Sequence, residues 1–252
     1  MSYQSLVNKV AIVTGASRGI GAAIAHELSH RGTRVVINYP TPAEKDEAAV
    51  NATIAEADLS TWEGPPLLAA AAAKAHANRI DILVNNAAIG PMIPFDSLDD
   101  DALNAAWDKT INLNCHGTYF LTRAVLPYLT KTNSRIINIT SDNARDPQHN
   151  SGIYAGTKGM IETLTRSWAH DLPRKYGCTV NSVAPGPTST EAMKSFLKEF
   201  HEKLQLVLDR MPIDSRMGTP EEVAWVVAML SEEGASWVNG QIVSVSGGSV
   251  LS

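Results

Sequence analysis

In this sequence of 252 residues, Tyr154 and Lys158 stand four positions apart, a spacing that sets two side chains on one face of a helix. A phenol is a weak acid with a reference pKa of about 10, and an ammonium held beside it favours the phenolate, so the pair can handle a proton. Ser141 lies thirteen positions before Tyr154, just after the strand-like run 135–140, where a hydroxyl at a strand's carboxyl end can face the same cleft. A Tyr and a Lys at this spacing also make ordinary surface contacts on helices, so the meaning of the pair depends on the elements that hold it.

Those elements begin with residues 10–14 (VAIVT), a nearly continuous apolar run of the kind that forms a parallel strand covered on both faces. Gly15, Gly19 and Gly21 follow in TGASRGIG, and a helical pattern through Ile20, Ile24, Ala25 and Leu28 stops near Gly32. A strand, a glycine-rich turn and a helix start make an anion site, because unpaired N–H groups and the positive end of the helix dipole point at whatever lies above the turn. The expected ligand is a pyrophosphate, although glycines also serve ordinary tight turns. The spacing is Gly-x-x-x-Gly-x-Gly rather than the Gly-x-Gly-x-x-Gly dinucleotide fingerprint.

Composition narrows the partners. A formal charge of −5 and scattered Lys and Arg give no electrostatic reason to expect nucleic acid or an anionic membrane. The most apolar stretch, 67–77, is Ala-rich, contains Lys74 and His76, and is too short to span a bilayer. With no basic segment and long apolar core at the start, a cytoplasmic protein is expected. Cys115 and Cys178 are the only cysteines and form no disulfide framework. No ligand set for a metal is expected around Cys115-His116 or the His26/His30 pair, since neither has a third ligand nearby. One domain spanning residues 1–252 is expected, because no linker or charge block divides the chain.

TGASRGIG, the NNAA of residues 85–88, Asn114, Ser141, the Tyr154/Lys158 pair and Pro185-Gly186 occur in one order, and in that order the chain resembles the short-chain dehydrogenase/reductase family from about residue 9 to 248. The resemblance implies an α/β fold, a doubly wound Rossmann-type domain with a central parallel sheet of about seven strands, and a site outside the strands' carboxyl ends. It implies reduction of a ketone to an alcohol by hydride transfer, with Tyr154 as general acid and Ser141 bonded to the carbonyl oxygen. Lys158 then lowers the tyrosine pKa and binds the nicotinamide ribose, while Asn114, chosen over Asn112 by its spacing to Tyr119, links the lysine to water.

The same resemblance implies cofactor contacts from Gly15, Ser17, Arg18, Gly19, Ile20 and Gly21 in the turn, from Asn38 and Tyr39 at the end of the second strand, and from Asp58 and Leu59 near the adenine. Asn86, Ala87 and Ala88 follow the fourth strand, and Pro185, Gly186, Thr188 and Thr190 cover the nicotinamide. The second strand ends without an acid to bind a ribose 2′-hydroxyl, and Arg18 offers positive charge, so NADP(H) is favoured over NAD(H). Three departures from the family stand out: a short crossover at 42–50, Ala88 where relatives have Gly, and Ser246 where they often have Asp.

Residues 188–215, carrying Met193, Phe196, Leu197, Phe200, Leu204, Leu206 and Leu208, read as a lid over a bulky, largely apolar carbonyl substrate. The run YAGTKGMIETLTR is similar to that of fungal polyketide ketoreductases, with a 3-oxoacyl thioester or a steroid-like ketone as other substrate classes. Asp142, Asn143, Arg145 and His149 line either the pocket mouth or an exposed loop. Family habit implies a homo-oligomer, tetramer or dimer. The competing class keeps the fold and the pocket but serves as a non-redox or regulatory dinucleotide-binding protein.

Overall fold

The computed structural model describes residues 4–40, 52–96, 99–191, 193, 205, 208–209 and 211–251. Seven strands form one sheet: β1 (Val10–Val13), β2 (Arg34–Tyr39), β3 (Thr53–Glu56), β4 (Ile82–Asn85), β5 (Ser134–Ile139), β6 (Cys178–Pro185) and β7 (Ile242–Val245). Their order is β3-β2-β1-β4-β5-β6-β7 and every pairing is parallel. The chain winds outward from β1 to one edge, returns to the middle at β4 and winds out the other way. The connections leaving β1 and β4 therefore diverge, and a crevice opens above their carboxyl ends.

The strands are buried apolar runs because helices cover both faces. On one face, α1 (Gly19–His30) meets Ala11, Val13, Ile37 and Val84 through Ile24, Ala25 and Leu28. The last helix, Pro220–Ser231, joins that cluster through Val223, Ala224 and Val227. On the other face, Ile12, Val36, Leu83 and Ile136 pack under α2 (Gly64–Ala75), α4 (Thr118–Val125) and α5 (Gly152–Asp171). Between α2 and α4 the chain forms α3 (Asp100–Thr110) and then a π-helical turn, Ile111–Gly117; a short α6 (Pro173–Tyr176) follows α5, which makes the last helix α7. Among the described residues no helix is long and apolar enough to cross a membrane.

The Ala-rich stretch near 67–77 is helix α2, opened by prolines in its first turn, where their missing N–H groups cost nothing. Helix α7 starts with Pro220 in its first turn and a capping box between Thr219 and Glu222. The abbreviated crossover at 42–50 lies outside the described residues, as do Phe196, Leu197, Phe200, Leu204 and Leu206 of the expected lid.

A buried polar chain crosses the middle of the sheet and fixes α5 upon it. Asn85 Nδ2 donates to Thr122 Oγ1 on α4 at 3.0 Å and to Asn138 Oδ1 on β5 at 2.8 Å. Asn138 Nδ2 donates to Thr165 Oγ1 on α5 at 2.8 Å, and Thr165 shares a 2.6 Å hydrogen bond with Ser182 on β6. Truncation at the centre of this chain strands buried partners on both sides, so Asn138→Ala should lower the free energy of unfolding by about 1–3 kcal/mol in a urea titration. An unchanged midpoint would mean that the chain does not hold α5 to the sheet.

Candidate active site

The turn after β1 is held open by glycine. Gly15 has φ 59°, and a Cβ there would stand 2.9 Å from Ala87 Cα. A Cβ on Gly21 would stand 2.3 Å from the Gly15 carbonyl and 2.6 Å from Asn86 Nδ2. A side chain at either position would push α1 or the β4 loop out of place. Asn86 closes the contact, its Nδ2 donating to the Thr14 and Gly15 carbonyls at 2.8 and 3.1 Å. The N–H groups of Asn86 and Ala87 both donate to Thr14 Oγ1 at 2.9 Å.

Helix α1 has no side-chain cap and no acid in its first turn, so its N-terminus is free to meet an anion. Ser17 is buried in this turn, Ile20 packs on the core, and Arg18 is exposed. Gly19, at φ 57°, faces Thr190 of the turn after β6, whose Cγ2 lies 3.4 Å from where its Cβ would be. The uncapped start of α1, set against a turn whose glycines let the loops after β1 and β4 pack closely, fits the diphosphate of a dinucleotide. Ala88, the departure from glycine, is exposed.

At the end of β2 the side chains do not reach outward. Asn38 is buried, and its Nδ2 donates to the Ala55 and Ala57 carbonyls at 3.3 and 3.0 Å, lacing β2 to β3. Tyr39 is buried as well, so both residues offer a ligand backbone rather than side chain, while Arg18 in the turn after β1 is exposed. Asp58 Oδ1 accepts from the Ser60 N–H at 2.9 Å and the Ser60 hydroxyl at 2.7 Å, which closes its own turn. Leu59 is a core side chain.

The proton-handling residues do converge. Ser141, at the carboxyl end of β5, caps a 3-10 turn (Asp142–Ala144) by accepting from the Asn143 N–H at 3.2 Å. Tyr154 stands in the first turn of α5, with its phenol near enough to Ser141 for the serine to favour the phenolate. Lys158 is only 5% exposed; its Nζ donates to the Ile139 carbonyl at 2.7 Å and lies 5.6 Å from the centre of the Tyr154 ring. Gly90, which the motif reading passed over, lets the loop after β4 lie against that ring, since a Cβ there would stand 3.1 Å from Tyr154 Cδ2. Its signal was a glycine two positions beyond NNAA.

Burial pushes the Tyr154 phenol above its ordinary range, and Ser141 draws it only partly back. Burial also draws the Lys158 ammonium down to about 8. A phenol held protonated at neutral pH suits an acid that must keep its proton until negative charge develops beside it.

Asn112 and Asn114 both sit within the π-helical turn, where Asn114 is buried and Asn112 is exposed. Asn114 Oδ1 accepts from the Ile89 N–H at 3.0 Å, and Nδ2 donates to the Ile89 carbonyl at 2.9 Å and to Thr157 Oγ1 at 3.0 Å. Its side chain thus ties the loop after β4 to the helix carrying Tyr154 and Lys158. Beyond β6, the Gly186 N–H donates to the Val245 carbonyl at 3.0 Å, so Pro185-Gly186 is held to the end of β7. Thr188 is buried and donates to the Gly186 carbonyl at 2.9 Å, and Thr190 Oγ1 accepts from the Met193 N–H at 3.2 Å.

Of the residues read as pocket mouth or exposed loop, His149 is exposed, Asn143 and Arg145 are half-buried, and Asp142 is buried behind Ser141. Burial holds Lys158 at about 8 against its reference value of 10.5, so the folded state binds this proton more weakly than the unfolded chain does. The penalty is full below about pH 8 and vanishes above about 10.5, so stability rises with pH across that window. In thermal unfolding, the midpoint of the wild type should rise relative to Lys158→Met between those limits. A difference that stays constant would mean that the ammonium is as well solvated folded as unfolded.

Comparison with known proteins agrees along almost the whole length. A family model described as enoyl-(acyl carrier protein) reductase matches residues 15–250. The short-chain dehydrogenase/reductase FrzI of Cladobotryum sp is 38% identical over 98% of this chain and 97% of its own length. Versicolorin reductase 1 of Aspergillus parasiticus is 34% identical over 96% and 97% of the two chains. A crystal structure of a short chain dehydrogenase from Burkholderia cenocepacia in complex with NADP, 31% identical, covers 97% of this chain and 99% of its own with a TM-score of 0.86. With the sheet order, the glycine cradle and the Ser, Tyr and Lys now in one crevice, this likeness shows that the chain belongs to the short-chain dehydrogenase/reductase family of oxidoreductases.

Proposed function

We propose that the protein reduces the ketone of a bulky, largely apolar substrate to an alcohol, with NADPH as reductant. The observation that carries this reading is the convergence of Ser141, the Tyr154 phenol and the buried Lys158 ammonium, 5.6 Å from the centre of the Tyr154 ring. The cradle at Gly15, Gly19 and Gly21 and the start of α1 would hold the diphosphate, and Arg18 the 2′-phosphate. Asp58 and Leu59 would border the adenine, Lys158 the nicotinamide ribose, and the Pro185 to Thr190 turn the nicotinamide. When bound, the nicotinamide supplies a hydride to the carbonyl carbon.

Everything else falls to the chain. Ser141 donates to the substrate oxygen and holds it against Tyr154. As negative charge grows on that oxygen, Tyr154 passes its proton across, and the Lys158 ammonium favours the phenolate that remains. The proton is then restored through Lys158 and water held at the Asn114 backbone. Met92 and Phe95 stand exposed on the same loop as Gly90, and together with the likeness to a versicolorin reductase they support an apolar, ring-bearing substrate.

Tyr154→Phe should cut ketone-dependent NADPH consumption by about 10²- to 10⁴-fold while NADPH still binds. Wild-type turnover in that variant would sink the mechanism, and tight NADPH binding without turnover of any ketone by the wild type would favour a regulatory dinucleotide-binding protein. Arg18→Ala should raise the KM for NADPH about tenfold and leave that for NADH little changed, as expected for loss of one charge-assisted phosphate contact. Equal effects on the two cofactors would remove the 2′-phosphate from the account.

A further inference from the structure

Directly behind Ser141, one buried carboxylate joins three segments that leave the carboxyl edge of the sheet. Asp142 is 7% exposed. Its Oδ2 accepts from the hydroxyl of Ser249, 107 residues away in the segment after β7, at 2.8 Å. Ser246 stands at the same contact, its Cβ 2.9 Å from where a Cβ on Gly186 would be, and favours the charged carboxylate. Oδ2 also lies 3.4 Å from where a Cβ on Gly186 would stand, so the carboxylate fills the gap which that glycine leaves. On its other side Arg145 Nη2 reaches Oδ1 at 3.2 Å, and the same guanidinium faces Glu162 of α5 with Nε 3.5 Å from Oε1.

The local turn does not need this charge. The Asn143 N–H is satisfied by Ser141 Oγ, and the N–H groups of Arg145 and Asp146 are satisfied by the Asp142 backbone carbonyl at 2.9 Å each. Burying a carboxylate is costly unless it is paired, and apart from Arg145 the partners here come from beyond the turn. The segment that Asp142 grips also carries the end of the expected lid. The Ile213 N–H donates to the Gly247 carbonyl at 3.3 Å, and Pro212 would lie 3.1 Å from a Cβ on Gly248.

We propose that Asp142 is a positioning residue: its carboxylate clamps the Ser141 turn to the Gly186 turn and to residues 246–249, and so fixes the serine hydroxyl relative to the turn that covers the nicotinamide. The proposal rests on the reading of Ser141 and Gly186 as parts of a reductase site. Within that reading, Ser246 is the neighbour that lets a carboxylate be moved across the contact without leaving it.

The test compares Asp142→Ala, Asp142→Asn and the exchange Asp142→Ser with Ser246→Asp, each measured for kcat per folded molecule, NADPH dissociation constant and unfolding midpoint. Asp142→Ala should lower kcat about 10- to 100-fold, as a displaced positioning group does, with NADPH affinity within about twofold. The exchange should restore kcat to within about fivefold of wild type, because the charge again sits between the same segments. Should Asp142→Ala fail to fold, Asp142→Asn keeps the shape and the Ser249 contact, and a kcat loss of about threefold or more with unchanged NADPH affinity carries the same conclusion. A lowered midpoint with unchanged kcat, or an exchange no better than the single change, would overturn the proposal and leave Asp142 a structural residue. Either result is separable from failure of the reductase reading, which would show as turnover surviving in Tyr154→Phe.

Discussion

The structure turns on one costly arrangement, an ammonium buried at the carboxyl end of a central strand with the Ile139 carbonyl 2.7 Å from it. Nothing in the packing of an α/β domain calls for a lysine there; an apolar side chain would fill the same place without a desolvation cost. The cost is offset in part by that carbonyl, which accepts a hydrogen bond from the ammonium. Burial displaces the phenol upward and the ammonium downward, each toward its neutral form, as the proposed proton transfer requires of groups that trade a proton.

Around that point the backbone is stitched by neutral amides and hydroxyls. Asn86 locks the glycine turn to the β4 loop, Asn114 locks that loop to α5, and the Asn85, Asn138, Thr165 and Ser182 chain locks α5 to three strands. These groups carry no charge and bind tightly only where geometry is good, so they transmit position without disturbing the electrostatics of Lys158. Conformations and contacts that only glycine permits at positions 15, 21, 90 and 186 then bring four separate loops to within touching distance.

Much of this was legible in the sequence because it is local. Continuous apolar runs marked the strands, the glycine spacing marked the turn, and an i,i+4 pair marked the proton-handling face of α5. What escaped depends on contacts between distant segments. Asn38 reads as a strand-end residue open to a ligand, yet the carbonyls it finds belong to β3 and the residue after it. The direction of the Tyr154 shift depends on burial, which residue spacing does not encode. Asp142 reads as a loop acid until Ser249 is seen beside it.

The central claim is that hydride moves directly to a substrate carbonyl in this crevice while the chain itself handles the proton. It is tested most directly by supplying NADPH deuterated at C4, as each of its two epimers in turn, with a bulky aromatic ketone, and locating the label in the product by NMR. The account predicts deuterium on the carbinol carbon from one epimer only. Product without deuterium from either epimer, or label released to water, would contradict it.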